Sequence, residues 1–363
     1  MSSNTLKRVL IMAGGTGGHI FPGLAVAKYL RDQGVDVQWL GTPQGLEAKL
    51  IPEANIPLHF ISISGLRGKS IKTLLSAPVK LCMAIFQAKR ILKTLQPDVV
   101  LGMGGFVSGP GGIASWLLGY PLVIHEQNAK AGFTNKVLSH FSDKILQGFP
   151  SAFPSSKKVV LTGNPVRVEI ENITPPAQRF QRTEKHCRLL IIGGSLGAQA
   201  FNEILPHALA LMNVNERPEV MHQTGEKHWQ AARKVYEAVN IQVDLVPFIK
   251  DMAAAYAWAD IVLCRAGALT VAELCAAGVG AIFIPYPYAV DDHQTANAEY
   301  MVQHQAALCL QQKDLTAAQL AAIVSRFSQS PHTCHDMAYA AYQLRVAHTT
   351  EKIVDVLRSV IKN

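Results

Sequence analysis

The chain has 363 residues, 49% of them hydrophobic and 17% charged, with six cysteines and a formal net charge of +8. This length predicts two domains, and the composition is typical of an α/β protein with buried parallel strands. The cysteines form no C-x-x-C pair, which excludes a zinc ribbon and a thiol redox motif. We expect no signal peptide, because the apolar run Val9–Ala13 is short and is followed by glycines. We also expect no membrane span, because the uncharged stretch 274–290 is interrupted by glycines and prolines.

Strand and helix signals alternate through the first half of the chain. The predicted strands are Val9–Ala13, Val35–Leu40, Leu58–Ile63, Asp98–Gly102, Leu122–His125, Lys144–Gln147 and Val159–Leu161. A glycine loop follows the first strand, and the helical stretch Phe21–Gln33 after it ends at Gly34, which is typical of a helix carboxyl terminus. This alternation predicts a mostly parallel, doubly wound sheet.

The segment from Ala54 to Pro97 contains no aspartate or glutamate. Its basic side chains alternate with apolar ones and are Arg67, Lys69, Lys72, Lys80, Lys89, Arg90 and Lys93. One interpretation is a solvated helix face. The other is contact with an anionic membrane surface, where each nearby basic residue contributes about 1 kcal/mol. Nucleic acid is disfavoured as a partner, because the segment lacks dense arginine and stacking aromatics.

The alternation restarts after a polar stretch with two prolines, 173–186, which indicates a linker. The predicted strands are Arg188–Gly193, Glu219–Gln223, Val243–Val246, Ile261–Cys264, Ala281–Pro285 and Ala307–Leu310. Only helical patterns follow Asp314. We therefore predict two Rossmann-like domains with mostly parallel sheets that face a cleft, over residues 1–164 and 165–344. A terminal helix within 345–363 is expected to pack back onto the first domain.

Three glycine-rich loops follow predicted strands: GGTGGH at 14–19, GMGGFVSGPGG at 102–112 and GGSLGA at 193–198. None has the G-x-G-x-x-G spacing, and no acidic residue ends the second strand, so a nicotinamide dehydrogenase is disfavoured. His19 lies at the predicted start of a helix. It is either a proton acceptor or a capping or packing residue. The 102–112 segment indicates either an anion cradle or a loop pressed against another backbone.

Polar clusters follow further strands. HEQN at 125–128 suits sugar recognition or acid–base chemistry, and Arg167 suits a phosphate. In CRAGALTVAE at 264–273, helix amides suit a diphosphate, and Glu273 suits ribose hydroxyls or simply the helix dipole. In DDHQTAN at 291–297, amide side chains suit sugar hydroxyls. There is no clustered set of metal ligands, so we expect neither a metal nor a cofactor.

These motifs, in this order and spacing, span essentially the whole chain and resemble the GT-B glycosyltransferases of peptidoglycan synthesis. The resemblance implies inverting, metal-independent transfer of GlcNAc from UDP-GlcNAc to the MurNAc C4 hydroxyl of undecaprenyl-diphosphate-MurNAc-pentapeptide (lipid I). It also implies a peripheral location on the cytoplasmic face of the bacterial inner membrane, an anionic surface. Gly280 departs from the pattern, since relatives usually carry proline there.

The resemblance also implies residue roles. His19 would be the base, with Glu126 as the alternative catalytic residue. The donor would contact Thr16, Gly17, Gly18, Asn128, Arg167, Ser195, Ile249, Ala268, Leu269, Thr270, Val271, Ala272, Glu273 and Gln294. The acceptor diphosphate would contact Gly104, Gly105 and Ser108.

Three alternatives remain at this point. One is another GT-B glycolipid synthase that uses the same donor, and another is a UDP-sugar 2-epimerase. An epimerase should place additional carboxylates in the cleft, where only Glu126 and Glu273 stand out. The third alternative is a binding module without catalytic activity.

Overall fold

A computed structural model describes residues 5–63, 76–180, 187–194 and 197–361. The chain divides into two compact units. Unit 1 comprises Met1–Val166 and His348–Asn363, and unit 2 comprises Arg167–Ala347. The chain therefore leaves unit 1 once and returns to it with its carboxyl-terminal segment. The predicted boundaries, 164/165 and 344/345, fall next to these positions.

Unit 1 is built on a seven-stranded sheet in the order β3-β2-β1-β4-β5-β6-β7, with all neighbouring strands parallel. The strands are β1 Arg8–Ala13, β2 Asp36–Gly41, β3 Leu58–Phe60, β4 Val99–Gly104, β5 Leu122–Glu126, β6 Lys144–Gln147 and β7 Val159–Leu161. Strand β1 is buried on both faces from Val9 to Ala13, as a sheet covered by helices on both sides requires. The predicted parallel sheet is confirmed.

Helices cover both faces of this sheet. They are α1 Gly17–Asp32, α2 Glu47–Glu53, α3 Ala77–Leu95, α4 Gly105–Leu118, α5 Phe133–Leu138 and, at the end of the chain, α15 Thr349–Ser359. Helix α15 lies against α1, where Ile353, Val354 and Leu357 join the same buried cluster as Val26 and Leu30. The last helix therefore completes the core of unit 1.

The prediction of a long loop at 102–112 is wrong, because β4 continues to Gly104 and α4 begins at Gly105. Both glycines have positive φ, 103° and 78°, and form the turn between the two elements. A Cβ on Gly105 would lie 2.3 Å from Gly14 O, and one on Gly111 would lie 2.3 Å from the Met12 sulfur. The glycines thus allow helix α4 to pack tightly against the sheet.

Unit 2 contains a six-stranded parallel sheet in the order β10-β9-β8-β11-β12-β13. Its strands are β8 Arg188–Ile192, β9 Glu219–Gln223, β10 Asp244–Val246, β11 Ile261–Cys264, β12 Gly280–Phe283 and β13 Ala307–Cys309. The second predicted sheet is therefore confirmed. Two units, each with a parallel sheet and helices, confirm the predicted α/β fold class.

The helices of unit 2 are α6 Val168–Glu171, α7 Pro176–Arg179, α8 Gln199–Ala210, α9 Trp229–Ala238, α10 Met252–Trp258, α11 Ala268–Ala277, α12 His293–Val302, α13 Ala317–Gln329 and α14 Pro331–Gln343. Part of the predicted linker 173–186 is structured, because α7 lies within it. Arg179 of α7 donates to the carbonyls of Ala277 (2.8 Å) and Gly278 (2.5 Å). Residues 181–186 lie outside the described part of the chain.

Among the described residues, no helix combines the length and apolar character needed to cross a bilayer. The same residues contain no group of three or more His, Cys, Asp or Glu side chains placed to hold a metal ion.

Candidate functional site

In each unit the strand order reverses beside the first strand, between β1 and β4 and between β8 and β11. Open parallel sheets bind ligands beyond the carboxyl ends of their strands at such positions. In unit 1 these ends carry the 14–19 loop and the Gly104–Gly105 turn. In unit 2 they carry Gly193, Gly194 and the start of α11. The predicted motifs therefore lie where this fold favours a ligand.

A buried carboxylate, which the sequence analysis missed, holds the first glycine loop. Glu47 of α2 is fully buried and accepts hydrogen bonds from the amides of Gly15 (3.1 Å) and Thr42 (3.0 Å) and from the Thr42 hydroxyl (2.8 Å). Glycines at 14, 41 and 45 leave room for its side chain. The glycines at 14, 41 and 45, together with Glu47, were the sequence signal that could have indicated this buried carboxylate.

His19 lies in the first turn of α1, whose amino-terminal cap is Thr16. Its Nδ1 lies 2.9 Å from Oε1 of Gln127, beyond the end of β5. A Cβ on Gly104 would lie 2.9 Å from both Nδ1 and Cε1 of His19, so a glycine is needed there for the ring to fit. The structure thus brings together His19, one predicted acceptor residue and the HEQN motif.

The HEQN motif is almost completely buried at the end of β5. His125 is fully buried, and burial lowers its pKa to about 4, so the ring is neutral near pH 7. Its Nε2 lies 3.0 Å from the Gly163 carbonyl oxygen, and its Nδ1 lies 3.0 Å from Nε2 of Gln127. The motif was predicted from the sequence as a group, whereas individual roles for His125 and Gln127 were not.

Glu126 is only 2% exposed, and protein donors occupy both of its carboxylate oxygens. Oε1 accepts from the amide and the side chain of Asn128, and Oε2 accepts from the Gly132 amide and the Asn135 side chain. The distances lie between 2.9 and 3.2 Å. Glu126 therefore holds the segment 126–135 together. One of its hydrogen-bond partners is Asn128, which the sequence predicts to bind the sugar donor.

The remaining predicted residues of unit 1 differ in accessibility. Ser108 is fully buried, and its hydroxyl accepts from the Gly104 amide at 3.1 Å and lies 2.9 Å from Met12 O. Its hydroxyl therefore stabilises the turn after β4. Thr16 and Gly18 are exposed and Gly17 is half-buried, so the tip of the first loop is open to a ligand.

In unit 2, two residues that are predicted to bind the sugar donor contact each other. Arg167 donates from Nη2 to Oε1 of Glu273 at 2.9 Å, and the buried Tyr256 donates to Oε2 at 3.0 Å. Burial raises the pKa of Glu273, and the Arg167 cation together with these hydrogen bonds opposes that rise. Burial and the adjacent Glu273 raise the pKa of Tyr256 well above its usual value, so its hydroxyl remains a donor.

The predicted diphosphate site is the amino terminus of α11. Val271 donates the first bond of the helix to Gly267 O at 3.0 Å, so the amides of Ala268, Leu269 and Thr270 precede the intrahelical ladder. Val271 is fully buried, and Ala272 is half-buried next to Glu273. A helix start of this kind attracts anionic groups.

Gly194 and Gly197, which follow β8 in the chain, lie close to a neighbouring backbone segment. A Cβ on Gly197 would lie 1.9 Å from Thr224 O, and Gln223 donates to Gly194 O at 3.2 Å. Ser195, a predicted donor residue, lies outside the described part of the chain. Ile249 is half-buried in the turn that follows β10.

Gln294 opens α12 and has one end of its amide already engaged, because its Oε1 accepts from the Tyr286 amide at 2.8 Å. Arg265, which the sequence analysis did not assign, holds the segment before it. Its guanidinium donates to the carbonyls of Ile284 (2.9 Å) and Pro285 (3.1 Å) and to Gln312 (2.6 Å). The engaged Oε1 leaves the amide NH₂ of Gln294 as the group that can donate to a ligand.

The chain thus has two doubly wound parallel sheets. A histidine lies at the reversal point of one sheet, and a helix amino terminus beside an Arg–Glu pair lies at that of the other. This combination is typical of two-domain glycosyltransferases. Residues 9–147 match the Glycosyltransferase family 28 N-terminal domain, and residues 188–354 match the Glycosyltransferase family 28 C-terminal domain. The chain belongs to glycosyltransferase family 28.

Relatives of known name match the chain over nearly its full length. It is 52% identical over 348 residues to the UDP-N-acetylglucosamine--N-acetylmuramyl-(pentapeptide) pyrophosphoryl-undecaprenol N-acetylglucosamine transferase of Nitrosococcus oceani, covering 96% of this chain and 97% of the relative. The enzyme of that name from Marinobacter nauticus is 50% identical, with 98% of both chains covered. The crystal structure of Acinetobacter baumannii MurG superposes with a TM-score of 0.87 at 43% identity, over 97% of this chain and 99% of that one.

Proposed function

We propose that this enzyme transfers GlcNAc from UDP-GlcNAc to the C4 hydroxyl of MurNAc in undecaprenyl-diphosphate-MurNAc-pentapeptide, which converts lipid I to lipid II. The observation that carries this proposal is the 52% identity, over 96% of the chain, to a relative whose name states these substrates. The histidine in unit 1 and the anion-binding helix start in unit 2 are the parts that such a transfer requires.

His19 is the base in this proposal. Its ring takes the proton of the C4 hydroxyl while that oxygen forms a bond to C1 of GlcNAc. The bond from C1 to the UDP oxygen breaks on the opposite face, so the α-linked donor gives a β-1,4 product. Glu126 suits this role less well, because protein donors occupy both of its oxygens.

In this proposal, residues of unit 2 stabilise UDP as the leaving group. The amides of Ala268 to Thr270 and the Arg167 guanidinium stabilise the diphosphate charge, and Glu273 accepts from the ribose hydroxyls. Arg167 contacts Glu273, so the cation proposed to bind a phosphate lies beside the carboxylate proposed to bind the ribose hydroxyls. Neither a metal ion nor another cofactor has a part in this scheme.

The test is incubation of the protein with UDP-GlcNAc and a short-chain lipid I analogue. We expect the disaccharide lipid, and its absence would refute the proposal. Formation of UDP-ManNAc without an acceptor would favour the epimerase alternative, and transfer to other glycolipids alone would favour a different synthase. His19→Ala should lower kcat by about 100-fold or more while the Kd for UDP-GlcNAc stays within about twofold of wild type.

We also propose that α3 contacts the anionic cytoplasmic leaflet of the inner membrane. One face of α3 packs against α4, and its residues Ala84, Ala88 and Leu92 belong to the buried cluster on that side of the sheet. The solvent-facing side carries exposed apolar side chains and four basic residues, namely Val79, Leu81, Met83, Phe86, Lys80, Lys89, Arg90 and Lys93. Apolar side chains that insert beside basic ones that attract anionic lipid are the features of an interfacial helix. Arg67, Lys69 and Lys72 lie outside the described residues.

Co-sedimentation with phosphatidylglycerol-containing vesicles tests this surface. The triple variant Lys80→Gln, Lys89→Gln, Lys93→Gln should lose most vesicle binding at low salt. The matched control removes three lysines from unit 2, with Lys227→Gln, Lys234→Gln and Lys250→Gln. Equal loss in both triple variants would show that net charge alone drives binding, and no loss in the first would refute the proposed surface.

A further inference from the structure

We propose that Gln127 is a positioning residue that fixes the tautomer of His19, so that Nε2 of His19 carries the lone pair that receives the acceptor proton. This inference rests on the proposed function, in which His19 is the base. It names a residue that acts on the base through a chain of hydrogen bonds from Gly163 through His125 and Gln127.

Two backbone carbonyls fix the direction of this chain, because a carbonyl oxygen only accepts hydrogen bonds. Gly163 O lies 3.0 Å from Nε2 of His125, so that nitrogen carries a hydrogen. His125 O lies 3.3 Å from Nε2 of Gln127, which places the amide NH₂ of Gln127 at that end. The orientation of the Gln127 amide therefore follows from the backbone.

The chain then continues to His19. The buried His125 is neutral near pH 7, so its Nδ1 has a lone pair and accepts from Nε2 of Gln127 at 3.0 Å. Oε1 of Gln127 thus faces His19, 2.9 Å from Nδ1. An amide oxygen can only accept, so Nδ1 of His19 carries the hydrogen. In a neutral imidazole the remaining nitrogen, Nε2, is then the basic one.

The surroundings of His19 support this assignment. Its ring is half-buried and packs against Gly104, and no group in the described part of the chain hydrogen-bonds its Nε2. The ionisable groups around it already have other partners: His125 lies behind Gln127, Glu126 is fully engaged, and Glu47 binds the Gly15 amide. Gln127 is therefore the group that orients the ring.

An amide partner has a different effect from a carboxylate. A carboxylate beside a histidine orients the ring and also stabilises the imidazolium, which raises its pKa. The amide oxygen of Gln127 orients the ring without a charge. His19 is thus held as the tautomer whose Nε2 can accept a proton.

Three variants of the full-length enzyme separate positioning from general stability. Gln127→Leu removes the acceptor from His19, and Gln127→Glu replaces it with a carboxylate. Gln38→Leu is the matched control, because Gln38 is also buried, belongs to unit 1 and accepts from Nε2 of His59 at 2.9 Å. Near-UV circular dichroism confirms that each variant is folded.

Nitrogen NMR of ¹⁵N-histidine-labelled enzyme reads the tautomer directly, with the His19 signals assigned by their loss in His19→Gln. We expect His19 to be protonated on Nδ1 in wild type and in Gln38→Leu, and to shift toward the Nε2-protonated form in Gln127→Leu. An Nε2-protonated His19 in wild type would overturn the proposal. This readout does not need the acceptor lipid, so it is independent of whether the proposed transferase activity is correct.

Kinetics with UDP-GlcNAc and the lipid I analogue give the second readout. Gln127→Leu should lower kcat at least about tenfold while the donor KM changes less than about twofold. Gln127→Glu should retain more activity, with the acid limb of its pH–rate profile shifted upward by about one pH unit, since the carboxylate stabilises the imidazolium. If kcat in Gln127→Leu equals that in Gln38→Leu, or the acid limb does not move, Gln127 does not position the base.

Discussion

At the residue scale, buried polar groups define the candidate site. Glu47 holds the glycine loop of unit 1, Gln127 contacts His19, and Tyr256 contacts Glu273. None of these three was assigned from the sequence, although their contact partners His19 and Glu273 were. Sequence motifs reveal polar groups at strand ends, whereas the contacts between these groups depend on how segments distant in sequence pack together.

Glu47 gives a prediction about loop stability. Glu47→Ala removes the acceptor of three hydrogen bonds and leaves buried donors unpaired, which should lower the free energy of unfolding by about 2–4 kcal/mol. Glu47→Gln should lower it less, since the amide oxygen can still accept from Thr42. The exposed Glu53 on the same helix provides the control variant Glu53→Ala. Urea unfolding measures all three, and equal effects of the two alanine variants would contradict the assigned role.

His222 gives a prediction about pH. Burial lowers its pKa to about 3, and its Nδ1 lies 2.9 Å from the Tyr236 hydroxyl. Because the folded pKa lies below the unfolded value of about 6.5, the unfolded state binds the proton first, and stability falls as pH drops below about 6.5. From pH 7 to pH 5 this group alone should cost about 2 kcal/mol.

The double variant His222→Phe, Tyr236→Phe removes both partners and keeps apolar rings in their place. Urea unfolding at pH 7 and pH 5 should then show a loss of stability smaller than that of wild type by about 2 kcal/mol. An unchanged difference between the two pH values would show that His222 does not contribute to acid sensitivity.

At the element scale, the sequence predicted most of the fold. Every strand of both sheets overlaps a predicted one, because buried parallel strands are short apolar runs bounded by glycine and polar residues. The prediction was wrong at 102–112. The many glycines of this segment suggested a loop, but they occupy the end of β4 and helix α4. Glycine lowers helix propensity, and the contact of Gly111 with Met12 that offsets this is not visible in sequence.

Helix α13 gives a prediction at this scale. The Thr316 hydroxyl accepts from the Gln319 amide at 3.2 Å, and the Gln319 side chain accepts from the Thr316 amide at 3.1 Å, which forms a capping box. Thr316→Ala should lower the free energy of unfolding by about 1 kcal/mol, and Thr316→Ser should restore most of it. Chemical denaturation checks both, and an equal loss in the serine variant would exclude the hydroxyl as the cause.

At the scale of the whole molecule, the two units differ in how the chain builds them. Unit 2 is formed by one continuous segment, whereas unit 1 needs segments from both sides of it. The final helix α15 supplies Ile353, Val354 and Leu357 to the core that also contains α1. The stability of unit 1 therefore depends on residues far from its own strands in sequence.

Leu357→Ala tests this dependence. Truncation of a fully buried leucine should lower the stability of unit 1 by about 2–4 kcal/mol, because a cavity remains against α1. Lys352→Ala, at an exposed position of the same helix, should change stability by less than about 0.5 kcal/mol. Hydrogen exchange resolved by segment can show that the loss is confined to unit 1. Uniform loss in both units would contradict the separate cores.

The placement of α15 has a consequence for the order of events during synthesis. The strands of unit 1 leave the ribosome first, but their helical cover is incomplete until residues 349–359 have been translated. Unit 2 emerges later, yet all of its segments are available before that moment. A nascent chain would thus finish its second half before its first, and the apolar face of α1 would await its cover during that interval.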